Sequence, residues 1–317
     1  MLRAREPKLL NAERAERMLD AGTFEEAAKL LTDCGYEDMS QMNAKEIEAS
    51  LAQHRAEIFD EIERLAPDSE IADVFKMKYD YHNAKVIIKS EAMGIDAGHL
   101  LSAAGRIAPE EMKNLYNEEK YSSMPALLGQ AMEEAKNTLA RTSNPQEADF
   151  ILDRAYFAEL TQAAEESGND FLKGYAAVLA DSTNLKNAVR TLRMGKNSDF
   201  MKTALIDGGK VSKDRILAAG DRESLAALFA HSELEKAASL CGEAMEGGPL
   251  TAFELACDNA VNSYLGKAKL VSFGSEPLTA YLAAVENEIT AVRMILTGRL
   301  AGIRSAVIKE RLRDFYA

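Results

Sequence analysis

Apolar residues recur along this chain at helical spacing. Near the C-terminus, Leu282, Val285, Ile289, Val292 and Leu296 are separated by steps of 3, 4, 3 and 4 residues. At about 100° per residue they form one stripe of an α-helix, with Asn287 on the opposite side and Arg293 at the stripe's flank. Asn287 is therefore expected to meet solvent or to make a polar contact with another helix. Ala, Leu, Glu, Lys and Met dominate the whole chain and alternating β-branched runs are missing, so the predicted fold class is all-α. Ser143-Asn144-Pro145, Gly247-Gly248-Pro249 and Ser275-Glu276-Pro277 each put a proline where a helix can begin, since its missing N–H costs nothing in the first turn. Paired short helices with an intervening turn are predicted around Met18, Leu19, Leu30 and Leu31, around Met112, Leu115, Leu127 and Leu128, and around Ile216, Leu217, Leu225 and Leu228.

The helical pattern contains a repeat. An Asn with a basic residue six positions on occurs three times: Asn83 with Lys89, Asn184 with Arg190, and Asn287 with Arg293, the asparagines lying 101 and 103 residues apart. Asp80 and Asp181 precede the first two by three positions, and Lys85 and Lys186 follow by two; the third copy has Ala284 and Ile289 instead. Gly105-Arg106-Ile107 and Gly209-Lys210-Val211 lie 104 residues apart, and their glycines are read as joints between units because glycine ends helices cheaply. Three helical repeat units are expected, at 1–104, 105–209 and 210–317. A self-similar period of this kind reports one folding unit used several times, so a function is to be sought in the assembled array before any single pocket.

Composition narrows the function classes. The chain has 317 residues, 47% of them hydrophobic, which excludes a disordered protein and allows a sizeable core. A net charge of −13 and no basic run argue against a nucleic-acid partner, because a phosphate backbone would repel the chain. Cys34, Cys241 and Cys257 are odd in number and far apart, and read as small core residues in a reducing compartment. Charge breaks every hydrophobic stretch well short of the ~18 to 20 apolar residues of a membrane-spanning helix, so a soluble intracellular protein is expected.

No catalytic, cofactor-binding or metal residue is predicted. Gly208-Gly209-Lys210 lacks the earlier glycine and the following Ser or Thr of a phosphate loop, having Ala204 and Val211 there. His54, His82, His99 and His231 form no His-Glu-x-x-His or Glu-x-x-His pair. There is no Asp-Asp-x-x-Asp magnesium motif and no Gly-x-Ser-x-Gly elbow. Acidic pairs such as Glu110-Glu111 and Glu165-Glu166 read as solvated helix faces. The candidate residues that remain are structural ones of the repeat: Asn83, Lys89, Asn184, Arg190, Asn287 and Arg293.

Three stretches, Phe75-Lys-Met-Lys-Tyr-Asp-Tyr-His-Asn-Ala-Lys-Val-Ile-Ile-Lys89, Asp181-Ser-Thr-Asn-Leu-Lys-Asn-Ala-Val-Arg190 and the tail from Tyr281 to Ala317, carry a resemblance, joined by the opening Arg3-Ala-Arg-Glu-Pro-Lys-Leu-Leu10. In their order and spacing the chain resembles the C subunits of the V/A-type rotary ATPases, counterparts of the d subunit in the vacuolar ATPase. That resemblance implies an all-α, three-lobed funnel with pseudo-threefold symmetry and no catalytic site or cofactor of its own. It implies a central-stalk part on the cytoplasmic face of the membrane, peripheral and without a membrane span, coupling ATP turnover to proton or sodium-ion transport. The implied partners are the central-stalk rotor subunits and the membrane proteolipid ring, with the membrane stator subunit as a further candidate. The third cassette departs from strict symmetry, and the opening helix begins close to residue 1, as a short N-terminus would. Two other readings stay open on the residues alone: a cytoplasmic helical-repeat adaptor, which a period near 100 residues disfavours, and a helical enzyme with an unrecognised site.

Overall fold

The computed structural model describes residues 2–66 and 70–317. It is all-helical, with no strand among the described residues. In chain order the α-helices are α1 (Ala12–Asp20), α2 (Phe24–Lys29), α3 (Ala44–Leu65), α4 (Ile71–Met93), α5 (Pro109–Asn117), α6 (Ala126–Thr142), α7 (Pro145–Glu166) and α8 (Asp170–Arg193). They continue as α9 (Ser198–Ala204), α10 (Lys213–Ala218), α11 (Arg222–Phe229), α12 (Glu235–Met245), α13 (Leu250–Gly266), α14 (Glu276–Leu300) and α15 (Ser305–Lys309). The chain divides into two compact units, one of residues 1–69 with 231–317 and the other of residues 70–230.

Asparagine starts many of these helices. The side chains of Asn11, Asn43, Asn144, Asn169 and Asn197 each accept a first-turn N–H, of α1, α3, α7, α8 and α9 respectively. At α3 the cap is reciprocal, with Glu46 accepting from the Asn43 N–H at 2.8 Å. Each such cap contributes about 1 kcal/mol by satisfying donors the helix leaves open. Pro145 and Pro277 fall in the first turns of α7 and α14, while α13 begins one residue after Pro249. The opening segment differs from the expected helix: Leu2–Ala4 and Glu6–Lys8 are separate 3-10 turns, and the first α-helix starts only after Asn11. Pro7 explains the break, because an α-helix running on from residue 3 would need its N–H.

Helix α14 is the axis of the first unit. Thirteen consecutive residues, Pro277 to Ile289, are buried, and further along Val292, Ile295 and Leu296 are fully so. The stripe read from the sequence is in the core, yet the opposite side of the helix is covered as well. A helix enclosed on every side belongs at the centre of its unit. Helices α2, α3 and α13 pack around it, contributing Ala27, Ile47, Leu51, Phe59 and Cys257. In the other unit α4, α6, α7 and α8 enclose Met112, Tyr116, Leu128, Met132, Leu152 and Leu160. Each aliphatic or aromatic side chain so buried contributes about 1.5–3 kcal/mol. All three cysteines are buried.

Candidate functional site

Enclosure of α4 and α8 forces their polar residues to find partners inside the protein, and the partners are loop backbone. On α4, Asp80 and Asn83 are one turn apart and fully buried. The Asn83 amide closes a two-way bond with Ser102, donating from Nδ2 to its carbonyl at 2.8 Å and accepting its N–H at Oδ1 at 2.8 Å. Asp80 Oδ1 accepts the N–H groups of Arg106 at 2.9 Å and Ile107 at 3.2 Å. On α8 the arrangement recurs. Asn184 closes the same two-way bond with Ile206, both distances being 2.9 Å. Asp181 accepts from the Lys210 N–H at 3.1 Å and the Val211 N–H at 3.1 Å. Four backbone groups that would otherwise be costly to bury are thereby satisfied in each clasp.

The glycines of these loops have a role other than the expected one. Gly105 and Gly209 end no helix: α4 stops at Met93, and α9, the helix before Gly209, stops at Ala204. They are glycine because the loop passes directly over the buried carboxylate. A Cβ on Gly105 would lie 2.3 Å from Asp80 Oδ1, and one on Gly209 would lie 2.2 Å from Asp181 Oδ1.

The third asparagine holds a different piece of chain. Asn287 Nδ2 donates to the carbonyl of Asp314 at 3.1 Å, so its contact is with the C-terminal tail and not with solvent or another helix. The same carbonyl accepts from Asn262 Nδ2 at 3.0 Å, the Asp314 N–H donates to Asn259 Oδ1 at 2.9 Å, and Arg313 pairs with Asp258 at 2.7 Å. No carboxylate stands at Ala284.

The basic members of the cassettes tie helices together. Lys89 bonds Asp149 and Lys85 bonds Asp153 at 2.6 Å, two rungs between α4 and α7. Arg293 Nε donates to both oxygens of Glu48 on α3, at 2.7 and 2.9 Å. Arg190 stands exposed near the end of α8.

Several polar groups escaped the reading of the sequence. Arg106 donates to Asp80 at 2.6 Å and to Glu159 at 2.7 Å, and Glu159 also accepts from Tyr81 at 2.7 Å. Burial pulls the Arg106 guanidinium down, but the Glu159 and Asp80 carboxylates hold it above its usual value. On α14, Glu286 pairs with buried Arg55 at 2.9 Å. Glu288, one residue beyond Asn287, accepts from the Leu10 N–H and from Tyr36 Oη at 2.8 Å, and burial raises its carboxyl from 4.5 to about 7. The available signal was the scarcity of charge: between Pro277 and Gly298 only Glu286, Glu288 and Arg293 are charged, too few for an exposed face.

Together these groups bind the protein's own backbone and one another, which is the chemistry of a scaffold. Among the described residues no cluster of three His, Cys, Asp or Glu side chains could hold a metal ion, and no helix is long and apolar enough to cross a membrane. The molecule is an all-helical scaffold whose buried polar residues fasten its loops. The chain belongs to the ATP synthase (C/AC39) subunit family, whose model matches residues 1–311, and it is in that sense a subunit of a V/A-type rotary ATPase. It is 26% identical to the C subunit of the V-type sodium ATPase of Enterococcus hirae, over all of this chain and 97% of that protein. It is 25% identical to the C subunit of the A-type ATP synthase of Methanocaldococcus jannaschii, over 98% of this chain and 84% of that protein. The corresponding A-type ATP synthase protein of Haloquadratum walsbyi is 24% identical, with 98% and 95% covered.

Proposed function

We propose that the chain is the non-catalytic central-stalk subunit of its rotary ATPase, joining the rotor stalk of the soluble ATPase sector to the proteolipid ring in the membrane. The observation that carries this reading is the family match from residue 1 to residue 311, with relatives named as C subunits of such ATPases aligned over most of their length. The geometry supports it. A part that passes torque must not yield along its loops, and the loops after α4 and α9 are fixed to buried carboxylates and amides at both ends of the clasp. Three repeat units at 1–104, 105–209 and 210–317, arranged as a pseudo-threefold funnel on the cytoplasmic face, complete the proposal. The rotor stalk would enter its open centre while the opposite face rests on the ring, with the membrane stator subunit as a further neighbour.

The test is recovery of partners. A tagged full-length chain expressed in place of the native one is expected to co-purify with both the ATPase sector and the proteolipid ring, and to be released when membranes are stripped. Recovery with soluble proteins alone would favour the adaptor reading. Calorimetry of the isolated chain with magnesium and ATP is expected to show no binding at micromolar concentration; heat of binding there would overturn the non-catalytic assignment.

A further inference from the structure

One loop of the first unit places apolar side chains in water. Between α13 and α14 the chain forms a 3-10 turn, Lys267–Leu270, and runs on to Ser275. Leu270 is 91% and Phe273 90% exposed, the most exposed large hydrophobic residues among those described. Their exposure is not that of a loose segment. Ala268 is fully buried beneath them, and Arg3 Nη2 donates to the carbonyls of Ala268 and Val271, while its Nη1 is held by Glu6 at 2.6 Å. The base of the loop is pinned and its apolar tips project.

The charge around the tips is unusual for this molecule. From Asn259 to Ser275 the chain carries Lys267 and Lys269 and no acidic residue, the next carboxylate being Glu276 beside Gly274 at the start of α14, in a protein of net charge −13. Both lysines are exposed at the base of the projection, Lys267 Nζ standing 4.8 Å from the centre of the Tyr264 ring and Lys269 Nζ 4.9 Å from that of Tyr316. Lys267 also meets Glu233 at 2.9 Å at the surface, where a pair exchanges readily with solvent and anions.

We propose that this loop is a lipid contact: Leu270 and Phe273 enter the boundary between headgroups and acyl chains of a leaflet containing anionic lipid, and Lys267 and Lys269 meet its phosphates. The shape and the charge both select this occupant. Two apolar groups on a convex tip match a medium that deforms around them, and flanking lysines supply the electrostatic half of interfacial binding. The rest of the surface is acidic on balance and is repelled by such a leaflet, so contact is confined to this loop. The inference goes beyond the stalk-to-ring reading, which requires protein partners only.

The chain contains no tryptophan, so Phe273→Trp introduces a single reporter. With phosphatidylcholine vesicles containing phosphatidylglycerol, its emission is expected to shift to the blue and to be quenched by lipids brominated on the upper acyl chain. Lys267→Gln with Lys269→Gln in the same chain should weaken binding roughly thirtyfold, at about 1 kcal/mol per lysine. Leu270→Ser with Phe273→Ser should reduce co-sedimentation of the otherwise native chain by about tenfold or more, with unchanged helicity as the check on folding. Unshifted emission at low salt overturns the proposal. So does a shift seen only with membranes carrying the assembled ATPase and not quenched by brominated lipid, which assigns the loop to a protein cleft. Co-purification of the serine variant with the ATPase sector and ring is scored separately, so loss of lipid binding and loss of the stalk assignment are distinct results.

Discussion

Replacing Gly209 by alanine isolates the energetics of a loop clasp. The added Cβ would stand 2.2 Å from Asp181 Oδ1 and 3.1 Å from its Cγ, so the carboxylate or the loop must move. Asp181 is 2% exposed and has a short side chain in the middle of α8, which leaves the loop as the part that yields. Moving it stretches the two bonds from the Lys210 and Val211 N–H groups, each 3.1 Å long and each made to a buried side-chain oxygen of Asp181. Hydrogen bonds contribute about 0.5–1.5 kcal/mol net each, and overpacking a tight site costs about 1–3 kcal/mol, with partial relaxation reducing the sum. A local destabilisation of about 2–4 kcal/mol is expected, equivalent to roughly 30- to 1000-fold faster amide exchange at Lys210 and Val211. Gly266→Ala is the control, since its Cβ would meet nothing within 4 Å and Gly266 is the last residue of α13. That change should be neutral or stabilise by about 0.4–1 kcal/mol through the unfolded chain. Exchange at Lys210 and Val211 in Gly209→Ala within about threefold of the Gly266→Ala control would refute the clasp account.

Three further outcomes follow from the polar groups of α14. Arg55→Met should destabilise by about 3–5 kcal/mol in urea unfolding because the buried Glu286 loses the Arg55 guanidinium, and adding Glu286→Leu should recover most of the loss; equal instability of both variants would argue against the pair. Glu288 is raised from 4.5 to about 7 by burial, so the folded state holds its proton more tightly, and the group's contribution is favourable below pH 4.5 and is lost as pH rises through about 7. Glu288→Gln can still accept from Leu10 and can donate to Tyr36, and should remove on the order of 3 kcal/mol of the stability difference between pH 5 and pH 8; parallel pH profiles would sink the assignment. Deleting residues 313–317 strands Asn287, which is 7% exposed, and should cost about 1–3 kcal/mol, read as a lower urea midpoint.

The helices were legible because they are marked twice, by apolar spacing and by their starts. Asn144 and Pro145 head α7, and Leu282 to Leu296 form a buried stripe, as the sequence indicated. Less visible was the depth of burial. A stripe of period 3.6 announces one covered face, whereas α14 is covered on all sides from Pro277 to Ile289, and that depends on which neighbours arrive from residues 12–65 and 250–266. The polar groups follow the same division. Asn83 and Asn184 stood out through repetition, but their partners, the backbone of Ser102 and Ile206, carry no side-chain signature. Glu286 and Glu288 lay beside a recognised residue and still looked like solvated charge, because their partners Arg55, Leu10 and Tyr36 are more than 200 residues away in sequence.

The departure of the third cassette from the first two has a physical reason in these contacts. Asp80 and Asp181 each accept two successive N–H groups from a loop that turns, immediately afterwards, into α5 or α10. A loop entering a helix presents N–H groups that need an acceptor, and a buried carboxylate supplies both lone-pair sites at once. The segment that reaches Asn287 enters no helix: it lies beyond α15, and it is held by one carbonyl and one N–H at Asp314. Amides suffice there. Asn259, Asn262 and Asn287 share that residue between them, and a carboxylate at position 284, which is buried, would be costly to desolvate. Alanine at that position, and aspartate in the other two, are thus the same rule applied to a tail that stays extended and to loops that turn into helices.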